Sequence, residues 1–210
     1  MQVTRQILAL GAHPDDLELG CGATLAKLVA TGCHVTAVVL SAGGHGGGGD
    51  YDRARETREA LQLLGIQEVV QHGFPDTRLH EHLTDLITTI EEHVCKVRPG
   101  RVYTMFHDDR HQDHRAVYQA SAVACRSVPQ IFAYETPSSY PNFIPTVFEP
   151  VDDYIEHKVR ALKIHKSQGD RLYMQEEKIR SAAHFRGVQV DLAQTEGFIP
   201  YKLILSGSGV

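Results

Sequence analysis

Two short segments carry ionisable side chains at a density that a structural turn does not need. The first, GAHPDDLELG at Gly11–Gly20, places His13, Asp15 and Asp16 directly after an apolar run. The second, HDDRHQDH at His107–His114, also follows an apolar run. An ordinary strand-to-helix turn needs only a glycine or a capping residue, so these groups suggest chemistry.

The residue types in the two segments suit a metal ion. His111 and His114 are three positions apart, so they share one face where a helix begins. His13 and Asp16 add a further nitrogen and a carboxylate oxygen. Two histidines and one carboxylate, with one position left for water, are typical of catalytic Zn²⁺, whereas structural zinc sites usually close all four positions. One His–Asp pair alone would indicate a cap or a surface turn, but two such segments favour a metal site.

The elements that must position these residues alternate along the chain. Apolar runs predict strands, and apolar residues at helical spacing predict helices between them. We therefore expect a Rossmann-like, doubly wound, mostly parallel α/β sheet in a single domain over residues 1–210. The five predicted strands of this alternation are Ile7–Ala12, Val35–Leu40, Glu68–His72, Arg101–Phe106 and Gln130–Tyr134. The four predicted helices between them are Ala23–Ala30, Arg53–Leu64, Leu83–Val97 and Arg115–Arg126.

The remainder of the chain is predicted in less detail. Thr136–Pro150 contains four prolines and is expected to be a long loop that walls a substrate pocket. Two helices, near Asp152–Lys166 and Leu172–Ala183, and a last strand at Lys202–Leu205 follow. Residues 206–210 are expected to form a flexible tail.

Strand order decides whether the two segments meet. In a sheet of order 3-2-1-4-5, strands one and four are neighbours, and the chain reverses its direction of travel between them. Their carboxyl ends then open a crevice, which would bring His13 and His114 together although they are far apart in sequence.

Composition limits the classes of protein to consider. The chain has 210 residues with 42% hydrophobic and 22% charged side chains, which are globular values, and its net charge of −5 argues against a nucleic-acid partner. Its four cysteines form no CxxC pair, which indicates free, mostly buried thiols in a reducing compartment. No apolar stretch approaches ~20 residues. We therefore expect a cytoplasmic protein with no membrane insertion, a small-molecule partner and, as an open question, a homo-oligomeric state.

AHPDD after strand one and HQDH after strand four resemble the zinc-dependent de-N-acetylases of the PIG-L/LmbE family. The resemblance runs along nearly the whole chain. It implies a Rossmann-like hydrolase that uses Zn²⁺ to remove an acetyl group from an N-acetylglucosamine-containing or related amino sugar. The roles it implies are metal binding for His13, Asp16 and His114, general base for Asp15, oxyanion stabilisation for His111, and orientation or tuning of His111 for Asp113.

This implied chemistry explains the opening segment. Amide hydrolysis needs a nucleophile at neutral pH, which Zn²⁺ supplies by acidifying a bound water, and a carboxylate must accept its proton. Adjacent side chains in an irregular loop can diverge, so Asp16 can face the metal while Asp15 faces the water. A protonated His111, together with the metal, could hold the negative charge of the tetrahedral intermediate.

Several further polar residues are candidates for substrate contacts. The glycine-rich loop Gly43–Asp50 lacks the GxxxxGK[ST] pattern of a phosphate-binding loop and is better explained as a lid or rim over the sugar. Asp76 lies at the edge of the crevice and suits either a sugar hydroxyl or a Pro-Asp turn. The candidate substrate-binding residues are His45, Asp50, Arg53, Arg55 and His165.

Three other functions remain as alternatives. A nucleotide-binding Rossmann module would carry GxGxxG after strand one, where this chain has HPDD. A non-catalytic zinc or sugar-binding protein would need neither Asp15 nor His111. A zinc amidase acting on another small amide, such as a thiol conjugate or an antibiotic or nucleoside intermediate, keeps the same machinery. The sequence does not decide the identity of the divalent metal either.

Overall fold

The computed structural model describes residues 5–44 and 51–204, which form one α/β domain. The strands are β1 (Gln6–Gly11), β2 (His34–Ser41), β3 (Glu68–Phe74), β4 (Arg101–Met105), β5 (Gln130–Tyr134), β6 (Val147–Pro150) and β7 (Thr195–Leu203). The α-helices are α1 (Asp16–Ala30), α2 (Arg53–Leu63), α3 (Leu83–Val97), α4 (Gln112–Ala124), α5 (Ile155–Leu162) and α6 (Glu176–Val188). Short 3₁₀ helices lie at Leu79–His82, Lys166–Gln168 and Leu172–Met174.

The strands form a single mixed sheet in the order β3-β2-β1-β4-β5-β7-β6. The first five positions in this order are parallel, and β7 runs antiparallel to both β5 and β6. The predicted Rossmann-like order 3-2-1-4-5 is therefore confirmed. Because β1 lies directly beside β4, the loops that follow these two strands share one edge of the sheet.

The central strands are apolar because both faces of the sheet are covered. Residues 7–10 of β1 are at most 2% exposed, as expected for a parallel strand between two layers of helices. They belong to the main core with residues of β2, β4, β5 and the helices that pack on the sheet. This core fixes the end of β1, from which the first polar segment emerges.

Helix α1 is interrupted one turn after it begins. Cys21 has non-helical backbone angles, which frees polar backbone groups on both sides of it. Nζ of Lys158 donates to the carbonyl of Leu19, and the carboxylate of Glu196 accepts two backbone N–H groups from the following turn. Lys158 and Glu196 also form a buried ion pair at 2.7 Å. Side chains from α5 and β7 therefore hold the first turn of α1 at the sheet edge.

Gly20 of this turn is required by close packing, and we expect Gly20→Ala to lower the free energy of unfolding by about 1–3 kcal/mol. A Cβ at Gly20 would lie 2.0 Å from the ring of Tyr134, whose hydroxyl donates to the carbonyl of Leu10 and so fixes the ring. Gly22→Ala is the matched control, since its nearest contact would be an ordinary 3.5 Å. Denaturant unfolding of both variants measures the difference, and equal stability would contradict the packing argument.

The C-terminal third differs from the sequence prediction in its details. The expected loop Thr136–Pro150 ends in the edge strand β6, where Pro150 is tolerated because an edge position needs no ladder hydrogen bond on its outer side. The last strand begins at Thr195, well before the predicted start at Lys202. The prediction missed this start because Gly197 and Pro200 interrupt the apolar pattern of the strand. The predicted tail at 206–210 lies outside the described residues.

Two composition-based expectations can be compared with the structure. All four cysteines are free thiols, and Cys21 and Cys125 are buried. Within residues 5–44 and 51–204, no helix is both long and apolar enough to cross a membrane.

Candidate active site and metal centre

The two polar segments meet in one cavity at the carboxyl ends of β1 and β4. His13 lies in the turn after β1, and Asp16 begins α1. His114 lies in the first turn of α4, which follows β4. The cavity has a volume of about 410 Å³, and all three residues line it. The crevice expected from the strand order is therefore present.

The carboxylate of Asp16 lies between the two histidines. Its Oδ2 is 3.5 Å from Nδ1 of His13, and its Oδ1 is 3.3 Å from Nε2 of His114. The backbone N–H of His13 donates to the same carboxylate at 2.7 Å, which fixes its orientation. The three side chains are almost fully buried. They bring two nitrogens and one carboxylate together, which is a donor set that suits a divalent metal such as Zn²⁺.

The remaining ring nitrogen of each histidine contacts another carboxylate. Nε2 of His13 is 3.0 Å from Oδ2 of Asp113, and Nδ1 of His114 is 3.1 Å from Oδ2 of Asp109. Metal-binding histidines usually donate their second ring N–H to a carboxylate or carbonyl, which sets the tautomer and the ring orientation. The nitrogens left for a metal are then those that face Asp16.

The carboxylate of Asp113 contacts His13 and not His111, which the resemblance implied it would orient or tune. It is fully buried, contacts His13, and accepts the backbone N–H groups of Thr77 and Leu79. Its hydrogen bonds therefore orient His13. Toward His111 the hydrogen bond comes from the backbone N–H of Asp113, not from its carboxylate.

Two carboxylates contact the histidines of the cluster, a role that the sequence did not assign to them. Oδ1 of Asp76 lies 3.1 Å from Nε2 of His13, so this residue contacts a histidine of the cluster. Asp109 is fully buried and accepts the hydroxyl of Thr136 at 2.7 Å in addition to contacting His114. The repeated acidic residues of HDDRHQDH were the available signal for Asp109.

The electrostatics of the cluster favour bound positive charge. Burial lowers the pKa of His114, but the adjacent carboxylates of Asp16 and Asp109 outweigh it and raise that pKa to about 9. Burial also lowers the pKa of His13. Its hydrogen bonds to Asp113, Asp16 and Asp76 outweigh burial and raise this pKa well above the usual value. Burial alone would raise the pKa of Asp16, yet the two histidines lower it. Protons on these rings occupy the place that a metal cation would take.

Asp15 has an unusual backbone conformation at the start of α1. Its φ is 90°, in the left-handed region, and its side chain makes no capping hydrogen bond. The side chain lines the cavity instead. Burial, followed by the charge of Asp16, raises its pKa to about 7. Backbone strain of this kind is found at functional sites, where the surrounding structure maintains it.

His111 is the N-cap of α4 and lines the cavity with its ring stacked on His114, the centroids 4.8 Å apart. Its Nδ1 accepts the backbone N–H of Asp113, which assigns the proton of the neutral ring to Nε2. Burial, followed by the neighbouring His13 and His114, lowers its pKa. The structure therefore favours a neutral His111 over the protonated form considered from the sequence.

The histidines and carboxylates also form two other compact groups. Nitrogens of His13, His111 and His114 lie within 4.8 Å of one another, as do donor atoms of His13, Asp76 and Asp113. Both groups are less suited to a metal, because His111 already uses Nδ1 to cap α4 and Asp113 already accepts two backbone N–H groups.

Of the substrate candidates within the described residues, Arg53 lines the cavity. Its guanidinium donates to the carbonyl of Gly43 at 2.6 Å and to that of Pro14 at 3.2 Å. It therefore joins the loop after β2 to the turn that carries His13 and Asp15.

The other substrate candidates are placed differently. Arg55 is exposed and pairs with Glu59 along α2, and it does not line the cavity. His165 is buried and does not line the cavity, and its Nε2 lies 2.9 Å from the carboxylate of Glu18. Burial lowers the pKa of His165, but this carboxylate outweighs burial and raises it. His45 and Asp50 lie outside the described residues.

The rim of the cavity contains residues that the sequence did not single out. The segment after β5, expected to wall the substrate pocket, contributes three of the lining residues. The rim residues are Thr77, Arg110, Thr136, Pro137, Ser138, Gln168, Arg171 and Tyr173.

Comparison with known proteins agrees with this arrangement. Diacetylchitobiose deacetylase from Thermococcus kodakarensis is 27% identical, over 93% of this chain and 84% of its own. The crystal structure of the conserved protein TT1542 from Thermus thermophilus superposes with a TM-score of 0.86 at 25% identity, covering 98% of both chains.

A relative with higher sequence identity and a match to a family model show the family to which the chain belongs. An uncharacterized deacetylase of Escherichia coli K12, YaiS, is 52% identical over 167 residues, which are 77% of this chain and 90% of the relative. Residues 8–125 match the family described as PIG-L, GlcNAc-PI de-N-acetylase. This match spans both polar segments and, from Leu8 of β1 to the end of β4, the strands that position them, and the chain therefore belongs to the PIG-L family of de-N-acetylases.

Proposed function

We propose that this protein is a metal-dependent N-deacetylase that hydrolyses the acetamide of an N-acetylglucosamine-containing or related amino sugar. The observation that carries the proposal is the position of Asp15 and His111 beside the cluster of His13, Asp16 and His114 in one cavity. A site that only bound a metal or a sugar would need neither residue. The name of the Thermococcus relative, a diacetylchitobiose deacetylase, supports the substrate class.

The donor atoms fit Zn²⁺ or a similar divalent ion. His13 would bind through Nδ1 and His114 through Nε2, the nitrogens that face Asp16, because their other ring nitrogens contact carboxylates outside this ligand set. Asp16 would supply the oxygen ligand. When bound, the ion supplies an acidified water and polarises the amide carbonyl.

Asp15 is proposed to move the proton. Its carboxylate accepts a proton from the water that attacks the acetyl carbon, and later delivers it to the nitrogen as the C–N bond breaks. The products are acetate and a free amine. Burial and the charge of Asp16 raise the pKa of Asp15 to about 7 in the metal-free protein, toward the operating pH at which a general base works best.

His111 is proposed to stabilise the charge that develops on the acetyl oxygen. Because Nδ1 accepts the hydrogen bond that caps α4, the neutral ring carries its proton on Nε2. The Nε2–H group can donate a hydrogen bond into the cavity. A positioned donor of this kind contributes mainly in the transition state. Asp113 and Asp109 act through the histidines that they orient.

The direct test is an amine-release assay with zinc-loaded protein. The panel contains N-acetylated sugars and glycosides, together with acetylated thiol conjugates and antibiotic and nucleoside intermediates. We expect free amine from the sugars. Release only from the other amides would favour the alternative amidase function, and release from none would overturn the proposal.

Metal uptake is expected to release between one and two protons at pH 7. The pKa of His114 is raised to about 9 in the metal-free protein, so this ring is protonated at pH 7 and must lose a proton to bind, and the pKa of His13 is raised in the same direction. Affinity for the metal should therefore increase as the pH rises toward about 9. Calorimetric Zn²⁺ titrations in buffers of different ionisation enthalpy measure the proton count. Release of well under one proton would show that the histidines are not paired with carboxylates as described.

A further inference from the structure

A second cavity adjoins the catalytic one on the side of α6. It has a volume of about 350 Å³ and lies between α6, the residues after β5, and the start of β7. We refer to it as the α6 cavity. Four residues line both cavities, namely Leu19, Thr136, Pro137 and Tyr173. The two cavities therefore adjoin at these residues, beside Asp15.

The α6 cavity has a largely apolar wall. Ile179, Ala182, Ala183 and Phe185 come from successive turns of α6, and Leu19 of α1, which packs against the cluster that contains Ile179 and Ala183, also lines the cavity. Phe185 is 59% exposed although it is aromatic. Exposed aromatic surface beside a concave apolar wall is typical of sites that bind a ligand.

The charges in its lining are all paired with one another or with a neighbour. The pairs are Lys158 with Glu196 at 2.7 Å, Arg186 with Glu135 at 2.7 Å, and Lys178 with Glu177 at 3.6 Å. A charged ligand group would have to compete with these existing partners, whereas an uncharged group would leave them intact. The cavity therefore favours a neutral group with an apolar face.

We propose that the α6 cavity is a second substrate subsite, which takes an uncharged aryl or alkyl aglycone attached to the amino sugar. The inference rests on the proposed function, because that function places the acetamido group at Asp15. The aglycone would pack on the side chains of α6 and on Tyr173. Because Tyr173 lines both cavities, it would lie between the acetamido group and the aglycone.

The test compares phenyl and methyl glycosides of N-acetylglucosamine, each as both anomers, with zinc-loaded protein. Burying the phenyl ring is expected to raise kcat/KM about tenfold over the methyl glycoside of the same anomer, for at least one anomer. Ala182→Phe fills the cavity from an exposed position of α6 and should remove this preference. Ser181→Phe adds the same ring at the neighbouring exposed position outside the lining, and should retain it.

A binding measurement keeps this test separate from the activity. Calorimetric Kd values for phenyl and methyl glucosaminides, the amine products, need no hydrolysis. Tighter phenyl binding that Ala182→Phe abolishes would support the subsite even if no glycoside were deacetylated, a result that would count against the deacetylase proposal alone. Equal binding and turnover of phenyl and methyl compounds, or a preference that survives in Ala182→Phe, would overturn the subsite.

Discussion

Asp15→Asn is expected to retain its metal and to lose a factor on the order of 10²–10⁴ in turnover. Asparagine removes the proton acceptor but leaves the contacts of Asp16 with His13 and His114 in place. It also tolerates the left-handed backbone conformation that this position requires, so the turn should keep its shape. Metal content and kcat, measured on the same purified sample, give the two values.

Asp16→Asn is the matched control, because it makes the same chemical change one residue later. We expect it to lose metal affinity and activity together, since Asp16 contacts both histidines. If Asp15→Asn loses its metal as well, Asp15 belongs to the ligand set. If it keeps full turnover, another group accepts the proton.

The central strands of the sheet were predictable because each is a short, continuous apolar run in the sequence. Each of β1, β2, β4 and β5 is buried on both faces, which leaves a continuous apolar run in the sequence. The order then follows from the preference of doubly wound sheets for one arrangement. β6 was not predictable in the same way, since it is a four-residue edge strand whose pairing depends on β7, which lies beyond two further helices.

The meeting of His13 with His114 was predictable for a related reason. Both follow parallel strands, and neighbouring parallel strands end at the same edge whatever the intervening sequence does. The carboxylates behind these histidines were harder to assign. Asp76 follows β3 at the far side of the sheet order, and only the folded loop brings its carboxylate to His13.

The tautomer of His111 depends on a contact that no spacing rule provides. From the sequence, His111 was considered as an imidazolium that holds an oxyanion. In the structure the cap uses Nδ1, so the ring is neutral and its donor is Nε2. The α6 cavity is lined by several segments that are distant in the sequence, which explains why no local pattern indicates it.

His114→Ala is expected to lose at least on the order of 10² in metal affinity, whereas His111→Ala is expected to keep its metal and to lose turnover by about 10²-fold. The two rings are stacked, so the histidines occupy nearly the same place and differ mainly in their hydrogen bonds. His114 has Asp109 behind it and Asp16 in front, as a ligand requires. Among the described residues, His111 has a backbone N–H on one nitrogen and no hydrogen-bond partner on the other, which lies at the cavity.

Competition with a coloured zinc chelator measures both affinities directly, without any substrate. His13→Ala serves as the reference for full loss, because His13 belongs to every donor group that the described residues form. An affinity in His111→Ala as low as that of His13→Ala would replace Asp16 by His111 in the ligand set. Wild-type affinity in His114→Ala would instead point to the group of His13, Asp76 and Asp113, and would move the metal to the other side of the His13 ring.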